Sequence, residues 1–251
     1  MNMGQHSKTL ARDLFCAVTR PLANRCPIEK YPGWLGTLHN LRVPNNVRPK
    51  LQPRPGGGAN VRILFHTLDS VLSLAGDVAE CGVFQGSTLI PIGLLLRHRG
   101  SSKKVLGFDS FEGLDDTVTL DIGLGGDHDH RKQVGGFSNT SYENLVRKIQ
   151  QFKLTNAVSL VKGYFQNSLA KYADRRFCFV HLDCVIYESY KECLEFFYPR
   201  MVTGGVILLD EYTDPPWPGC KRAVDEFLAD KPEKLVEIVR DNQIKHYLRK
   251  L

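Results

Sequence analysis

From Val61 onward, short apolar runs alternate with segments whose apolar residues recur at helical spacing, and this alternation is the strongest constraint on the fold. Ile63, Leu64, Leu68, Val71, Leu72 and Ala75 open the series as a helix. Strands are then expected at 77–81, 104–109, 157–162, 177–183 and 205–210, and helices at about 87–98, 141–152, 188–198 and 219–229. Repeated strand–helix–strand units imply a parallel, doubly wound, Rossmann-like α/β sheet, because right-handed crossovers return each helix to the sheet face. The last apolar runs, 234–240 and 244–249, are separated by Asp241-Asn242-Gln243 and read as an antiparallel hairpin. A dehydrogenase-type sheet usually stays parallel to its edge, so this ending points elsewhere.

The first 60 residues have a different character. They hold nine Lys/Arg against Asp13 and Glu29, a net +7, so the +6 of the whole chain leaves −1 for residues 61–251. They also hold seven of the thirteen prolines and end in Pro53-Arg54-Pro55-Gly56-Gly57-Gly58, a linker or turn sequence. The expected organisation is a basic, Pro-rich arm over 1–60 and one catalytic-sized domain over 61–251. The arm's charges are dispersed and form no recognisable module, so a lid over an acidic site is preferred to a nucleic-acid-binding segment. Tyr31 and Trp34 would be its apolar contacts.

With 42% hydrophobic and 24% charged residues, the composition is that of an ordinary soluble protein. No stretch approaches the ~20 apolar residues that span a bilayer, and the N-terminus lacks the apolar segment of a secretory signal. A cytoplasmic protein is expected, with no membrane and no nucleic-acid partner. Its seven cysteines contain no C-x-x-C pair, and reduced structural thiols are expected.

In an open parallel sheet ligands bind beyond the carboxyl ends of the strands, so the strand tips carry the chemical information. The first is Val78-Ala79-Glu80-Cys81-Gly82-Val83-Phe84-Gln85-Gly86-Ser87-Thr88. Glu80 is placed at the crevice rim, and Gly82 and Gly86 would let backbone approach a cofactor. The spacing departs from G-x-G-x-x-G, which favours a nucleotide without a diphosphate. Asp109 ends the second strand, 29 residues after Glu80, where a carboxylate can accept hydrogen bonds from both ribose hydroxyls.

Asp183 ends the fourth strand, and Asp210-Glu211 the fifth. Three carboxylates on adjacent tips repel one another unless a cation or protons intervene, and an all-oxygen set suits Mg²⁺ or a similar ion. The competing reading has Asp183 capping the next helix and the other two facing solvent. Phe165 and Gln166, after the third strand, are placed beside an adenine. Tyr187, Tyr212 and Trp217 either line an acceptor pocket or pack at its rim. His181 reads as a core histidine bonded to backbone. Between Asp115 and Asn139 runs a long glycine-rich loop, a mobile segment or lid, whose His128 and His130 are alternative bases.

The first tip resembles the leading motif of class I S-adenosylmethionine-dependent methyltransferases, in which an acid-x-Gly turn meets the methionine part of the cofactor. Together with GFDSFEGL, KGYFQNSL, FVHLDCVIYES and GGVILLDEYTDPPWPGCKRAVDEF, the chain over roughly 61–251 resembles the macrocin O-methyltransferase family. The resemblance implies the class I methyltransferase sheet and a cofactor site of Glu80, Gly82, Gly86, Ser87, Thr88, Asp109, Ser110, Phe165 and Gln166. It also implies a divalent metal on Asp183, Asp210 and Glu211, with Asp183 as general base. Two departures stand out: Val185 occupies the place of a second family acid, and Glu211 the place of an aspartate.

The function expected is methyl transfer from S-adenosylmethionine to a hydroxyl of a small molecule, a sugar or glycosylated natural product, with Mg²⁺ assistance. A nicotinamide-dependent oxidoreductase is the alternative enzyme, weakened by the missing glycine fingerprint. A non-catalytic binding protein on the same scaffold is the third reading, motivated by Val185. The acceptor, the position methylated and assembly into a homo-oligomer stay open.

Overall fold

The computed structural model describes residues 57–115, 135–240 and 243–251. Most of the basic arm, the His128–His130 stretch and the turn residues Asp241 and Asn242 lie outside them. Helix α1 (Gly57–Asp69) leads into β1 (Asp77–Cys81), α2 (Leu89–His98), β2 (Val105–Asp109), α3 (Tyr142–Gln151) and β3 (Val158–Lys162). A short α4 (Phe165–Ser168) and a 3₁₀ turn precede β4 (Phe177–Leu182), α5 (Tyr187–Phe197), β5 (Met201–Leu209) and α6 (Pro218–Leu228). Strands β6 (Leu235–Arg240) and β7 (Gln243–Arg249) close the chain.

The sheet order is β3-β2-β1-β4-β5-β7-β6, with β1 to β5 parallel and β7 antiparallel to both neighbours. Strands β1, β2 and β4 are buried along nearly their whole length because both sheet faces are covered, whereas edge strand β3 leaves Ser159 and Lys162 exposed. Along β1, Val78 joins a cluster with residues of α1, α2 and α3, while Ala79 and Cys81 join one with α5 and α6. Helix α2 is buried from Leu89 through Leu96, so it needs no polar face. Helix α3 is amphipathic and starts at Ser141, whose hydroxyl accepts the Asn144 N–H at 3.2 Å.

Several boundaries differ from the periodicity. Helix α1 begins at Gly57, inside the stretch read as the end of the arm, and stops before Val71, Leu72 and Ala75, where the chain tightens into three-residue turns. Strand β5 starts at Met201 because its first residue pairs with Phe177 before a register shift. The helix beginning at Phe165 has only four residues, too few for a helical pattern to be read. The C-terminal hairpin is present, and the strand it lays against β5 is its second, β7. Among the described residues, Cys81, Cys178, Cys184, Cys193 and Cys220 are buried and form no disulfide, and no helix is long and apolar enough to cross a membrane.

Candidate active site

The tips of β1, β2, β3 and β4 border one cleft that is open to solvent. Gly82 and Phe84 come from the first tip, Asp109 and Ser110 from the second, and Phe165 and Gln166 from the segment after β3. Asp183, Val185, Glu188 and Glu192 come from the β4 tip and α5. The backbone continues the ladder past the strands: Gly82 N–H donates to the Phe108 carbonyl, Asp183 N–H to Cys81 and Asp210 N–H to Leu182, each at 2.9 Å. These bonds hold the tips level.

The two glycines of the first turn serve protein contacts. At Gly82 (φ +87°) a Cβ would stand 1.9 Å from the Asp183 carbonyl oxygen, so only glycine lets β1 and β4 close at the cleft floor. At Gly86 (φ +81°) a Cβ would meet Leu145 of α3 at 2.4 Å. The Asp109 carboxylate braces the same turn: Oδ2 accepts the Phe84 N–H and Oδ1 the Phe111 N–H, both at 2.7 Å. Burial pushes its pKa up, against the N–H donors of Phe111, Phe84 and Val83, which oppose the rise.

Beside the cleft, carboxylate oxygens of Asp183, Asp210 and Glu211 lie within 4.8 Å of one another. The cluster is already partly compensated. Lys245 Nζ, arriving on β7, is 2.7 Å from Asp210 Oδ1 and donates to the Asp210 carbonyl at 2.6 Å. His181 bonds Glu80 Oε1 through Nδ1 at 3.0 Å and places Nε2 3.8 Å from Asp210 Oδ1. Burial alone would lower the His181 pKa, but Asp210 and Glu80 outweigh it and carry it up to about 10. Burial would likewise raise Asp210, yet Lys245 and His181 bring it well below the carboxylate range.

Glu211 goes the other way. Burial, then repulsion from Asp183 and Asp210, pushes it well above its ordinary value. Its Oε2 accepts the Tyr190 hydroxyl at 2.7 Å, and the nearness of Asp183 and Asp210 disfavours its charged form.

The structure thus gathers Gly82, Asp109, Ser110, Phe165, Gln166 and Asp183 on the cleft, and joins Asp210 and Glu211 to Asp183 just beside it. Gly86, Ser87 and Thr88 lie outside the lining, Thr88 at the start of α2. Glu80 is not at the rim: it is 0% exposed within β1, because β1 is a central strand and its side chain is turned onto His181. His181 is a core residue as expected, but its partners are carboxylates. Trp217 is buried behind the cleft, and Tyr187 and Tyr212 bond Glu226 and Asp225 of α6. Sequence reasoning missed Lys245, Phe84, Phe137 and Glu192; for Lys245 no local signal exists, since its role comes from strand order alone.

The model of the macrocin O-methyltransferase (TylF) family matches residues 57–244. The chain belongs to that family. It is 30% identical over 176 residues to the demethyldecarbamoylnovobiocin O-methyltransferase of Streptomyces niveus, a match covering 67% of this chain and 65% of that protein. It is 27% identical over 174 residues to the 8-demethyl-8-(2,3-dimethoxy-alpha-L-rhamnosyl)-tetracenomycin-C 4'-O-methyltransferase of Streptomyces olivaceus, covering 65% of this chain and 63% of that one. The chain therefore spans slightly less than two thirds of either relative. The solved structure of the O-methyltransferase NovP superposes with a TM-score of 0.64 at 26% identity, over 82% of this chain and 87% of that one. The seven-stranded sheet, mostly parallel with antiparallel C-terminal strands, is the class I methyltransferase fold of this TylF-family chain.

Proposed function

We propose that this TylF-family chain transfers a methyl group from S-adenosylmethionine to a hydroxyl of a glycosylated small molecule. The observation behind the reading is a single cleft that carries Gly82, Asp109, Phe165 and Gln166 on one side and Asp183, with its acidic neighbours, on the other. Gly82, Asp109, Ser110, Phe165 and Gln166 would hold the cofactor, which supplies an activated methyl group. Acceptors built on a sugar follow from the rhamnosyl compound named for the S. olivaceus relative.

In the reaction the acceptor oxygen forms a bond to the methyl carbon as the sulfur–carbon bond breaks, and the hydroxyl proton must leave. Asp183 is the carboxylate to receive it, since it lines the cleft and Val185, in the place of the second family acid, has no proton-accepting group. His181 is not a base here, because it is buried and already protonated at neutral pH. The cleft walls orient the hydroxyl and exclude water, which is where much of the acceleration arises.

Asp183, Asp210 and Glu211 fit a hard divalent ion by oxygen donors and mutual spacing. Such an ion would acidify the acceptor hydroxyl. Binding it requires Glu211 to give up its proton, so occupancy should rise with pH. The arm of residues 1–60 would close over this side as a lid, its net +7 complementing the acids.

The test is mass spectrometry of S-adenosylhomocysteine formation with a panel of deoxysugar glycosides, with Mg²⁺ or with EDTA. Turnover with Mg²⁺ and its loss with EDTA is the expected result. Full turnover in EDTA removes the metal but leaves the transferase. Cofactor binding without turnover on any glycoside favours the binding-protein reading that Val185 motivates. A chain starting at Gly57 should bind S-adenosylhomocysteine but not turn over; unchanged turnover would remove the lid.

A further inference from the structure

Phe84 and Phe137 both line the cleft, and both hold backbone that phenylalanine rarely adopts, at φ +48° and +65°. Neither residue is fully buried, although Phe137 packs on one side against the core. At Phe84, hydrogen bonds hold this conformation. Phe84 N–H donates to Asp109 Oδ2 at 2.7 Å, and the Thr140 hydroxyl donates to the Phe84 carbonyl. Gln85 Nε2 donates to the Asn139 carbonyl at 2.8 Å, and Lys148 Nζ to the Gln85 carbonyl at 2.7 Å. The β1 turn and the segment before α3 are thereby tied into one piece.

The rings meet edge to face, with centroids 5.8 Å apart and planes at 84°. Trp217, 3% exposed at the start of α6, backs Phe137 at 6.0 Å. The result is a rigid aromatic corner on the same cleft as Asp183. Unfavourable backbone held in place by surrounding bonds is a sign of a surface shaped for a ligand.

We infer that Phe84 and Phe137 form a stacking platform for the C–H face of the acceptor's pyranose ring. A sugar presents an apolar face of axial C–H bonds and a polar edge of hydroxyls, and this cleft offers a matching pair: the aromatic rings of Phe84 and Phe137, and the carboxylate of Asp183. The inference rests on the glycoside methyltransferase reading and assigns the residues that select the sugar. Two rings at right angles also restrict the rotation of the sugar, so one hydroxyl is favoured over its neighbours.

Trp217 makes the platform observable, since the chain's only other tryptophan is Trp34. In the full-length Trp34→Phe protein, methyl α-L-rhamnopyranoside is titrated with and without saturating S-adenosylhomocysteine while tryptophan emission is followed; calorimetry measures S-adenosylhomocysteine separately. A saturable emission change is expected. Phe84→Ala and Phe137→Ala should each weaken the rhamnoside by about fivefold, the scale of one aromatic contact, with S-adenosylhomocysteine affinity kept within twofold. Phe137→Tyr should bind as wild type. Phe137→Leu, which keeps apolar bulk and tests the ring itself should Phe137→Ala fail to fold, should bind as weakly as the alanine variant.

No saturable rhamnoside signal in either titration overturns the platform, and so does wild-type affinity in Phe137→Leu. Equal losses of rhamnoside and S-adenosylhomocysteine would assign the rings to the cofactor and also overturn it. Failure of the wild-type chain to bind S-adenosylhomocysteine is a separate outcome that removes the methyltransferase reading, while the titration without it still decides the platform.

Discussion

At the amino end of β5, Glu233 has a fully buried side chain that accepts Lys250 Nζ at 2.7 Å, the Tyr198 hydroxyl at 2.7 Å and the Leu251 N–H at 3.3 Å. Burial would raise its pKa, but these donors bring it down to about 2. At the carboxyl end of the same strand Glu211 is just as buried, faces two other carboxylates and is pushed well above its ordinary value. Glu80 Oε2 and Glu188 Oε2 are buried there with no partner among the described residues. The backbone is unfavourable there as well. Phe84, Phe111, Phe137 and Val185 have positive φ, and Val185 is β-branched, centred on a turn in which Ile186 N–H donates to the Cys184 carbonyl at 2.8 Å. Such residues cost roughly 1–3 kcal/mol each. The buried acid at the amino end is satisfied, and only Lys153, after α3, has a positive φ on that side; the carboxyl end holds the unpartnered acids and the other four such residues, which is where binding can recover the cost.

This contrast can be broken experimentally. The largest effect should come from Asp183→Asn, with methyl transfer reduced about 10²–10⁴-fold, the scale of general-base catalysis, while calorimetry shows S-adenosylhomocysteine bound as before. Retained turnover would mean the proton leaves by another route. Lys245→Met should lower stability by about 3 kcal/mol, because Asp210 loses the nearer of its two cationic partners and keeps only His181. Urea denaturation measures this, and added Mg²⁺ should restore part of it if the acids hold the ion.

At the satisfied end, Glu233→Gln should cost about 2 kcal/mol at pH 7, the scale of hydrogen bonds to a charged group. Because the folded pKa of Glu233 lies below its ordinary 4.5, its contribution is present above that value and disappears as pH falls from about 4.5 towards 2. Denaturation across that interval should show a shallower slope in Glu233→Gln than in wild type. The smallest effect belongs to Glu211→Gln, within about 0.5 kcal/mol without metal, since an amide replaces an acid whose charged form is disfavoured by burial and by Asp183 and Asp210. A loss as large as that of Glu233→Gln would show Glu211 ionised and the two ends alike.

Strand and helix positions were legible in the sequence because periods of two and 3.6 residues are local, as were the acids at the tips of β2, β4 and β5 and the antiparallel ending. The adjacency of Asp183 and Asp210 also followed, since a parallel sheet aligns its carboxyl ends. Strand order decided the rest. Glu80 is interior because β1 lies between β2 and β4, and its partner His181 is 101 residues away. Lys245 reaches Asp210 only because β7, and not β6, inserts beside β5. Gly82 and Gly86 were recognisable as turn glycines, yet what presses on them, the Asp183 carbonyl and Leu145, is distant in the chain. Residue types and local spacing determined which chemical groups stand at the strand tips. Which charges neutralise one another, which acid keeps its proton and which rings meet across the cleft depend on contacts between remote segments, and those exist only once the sheet has chosen its order and register.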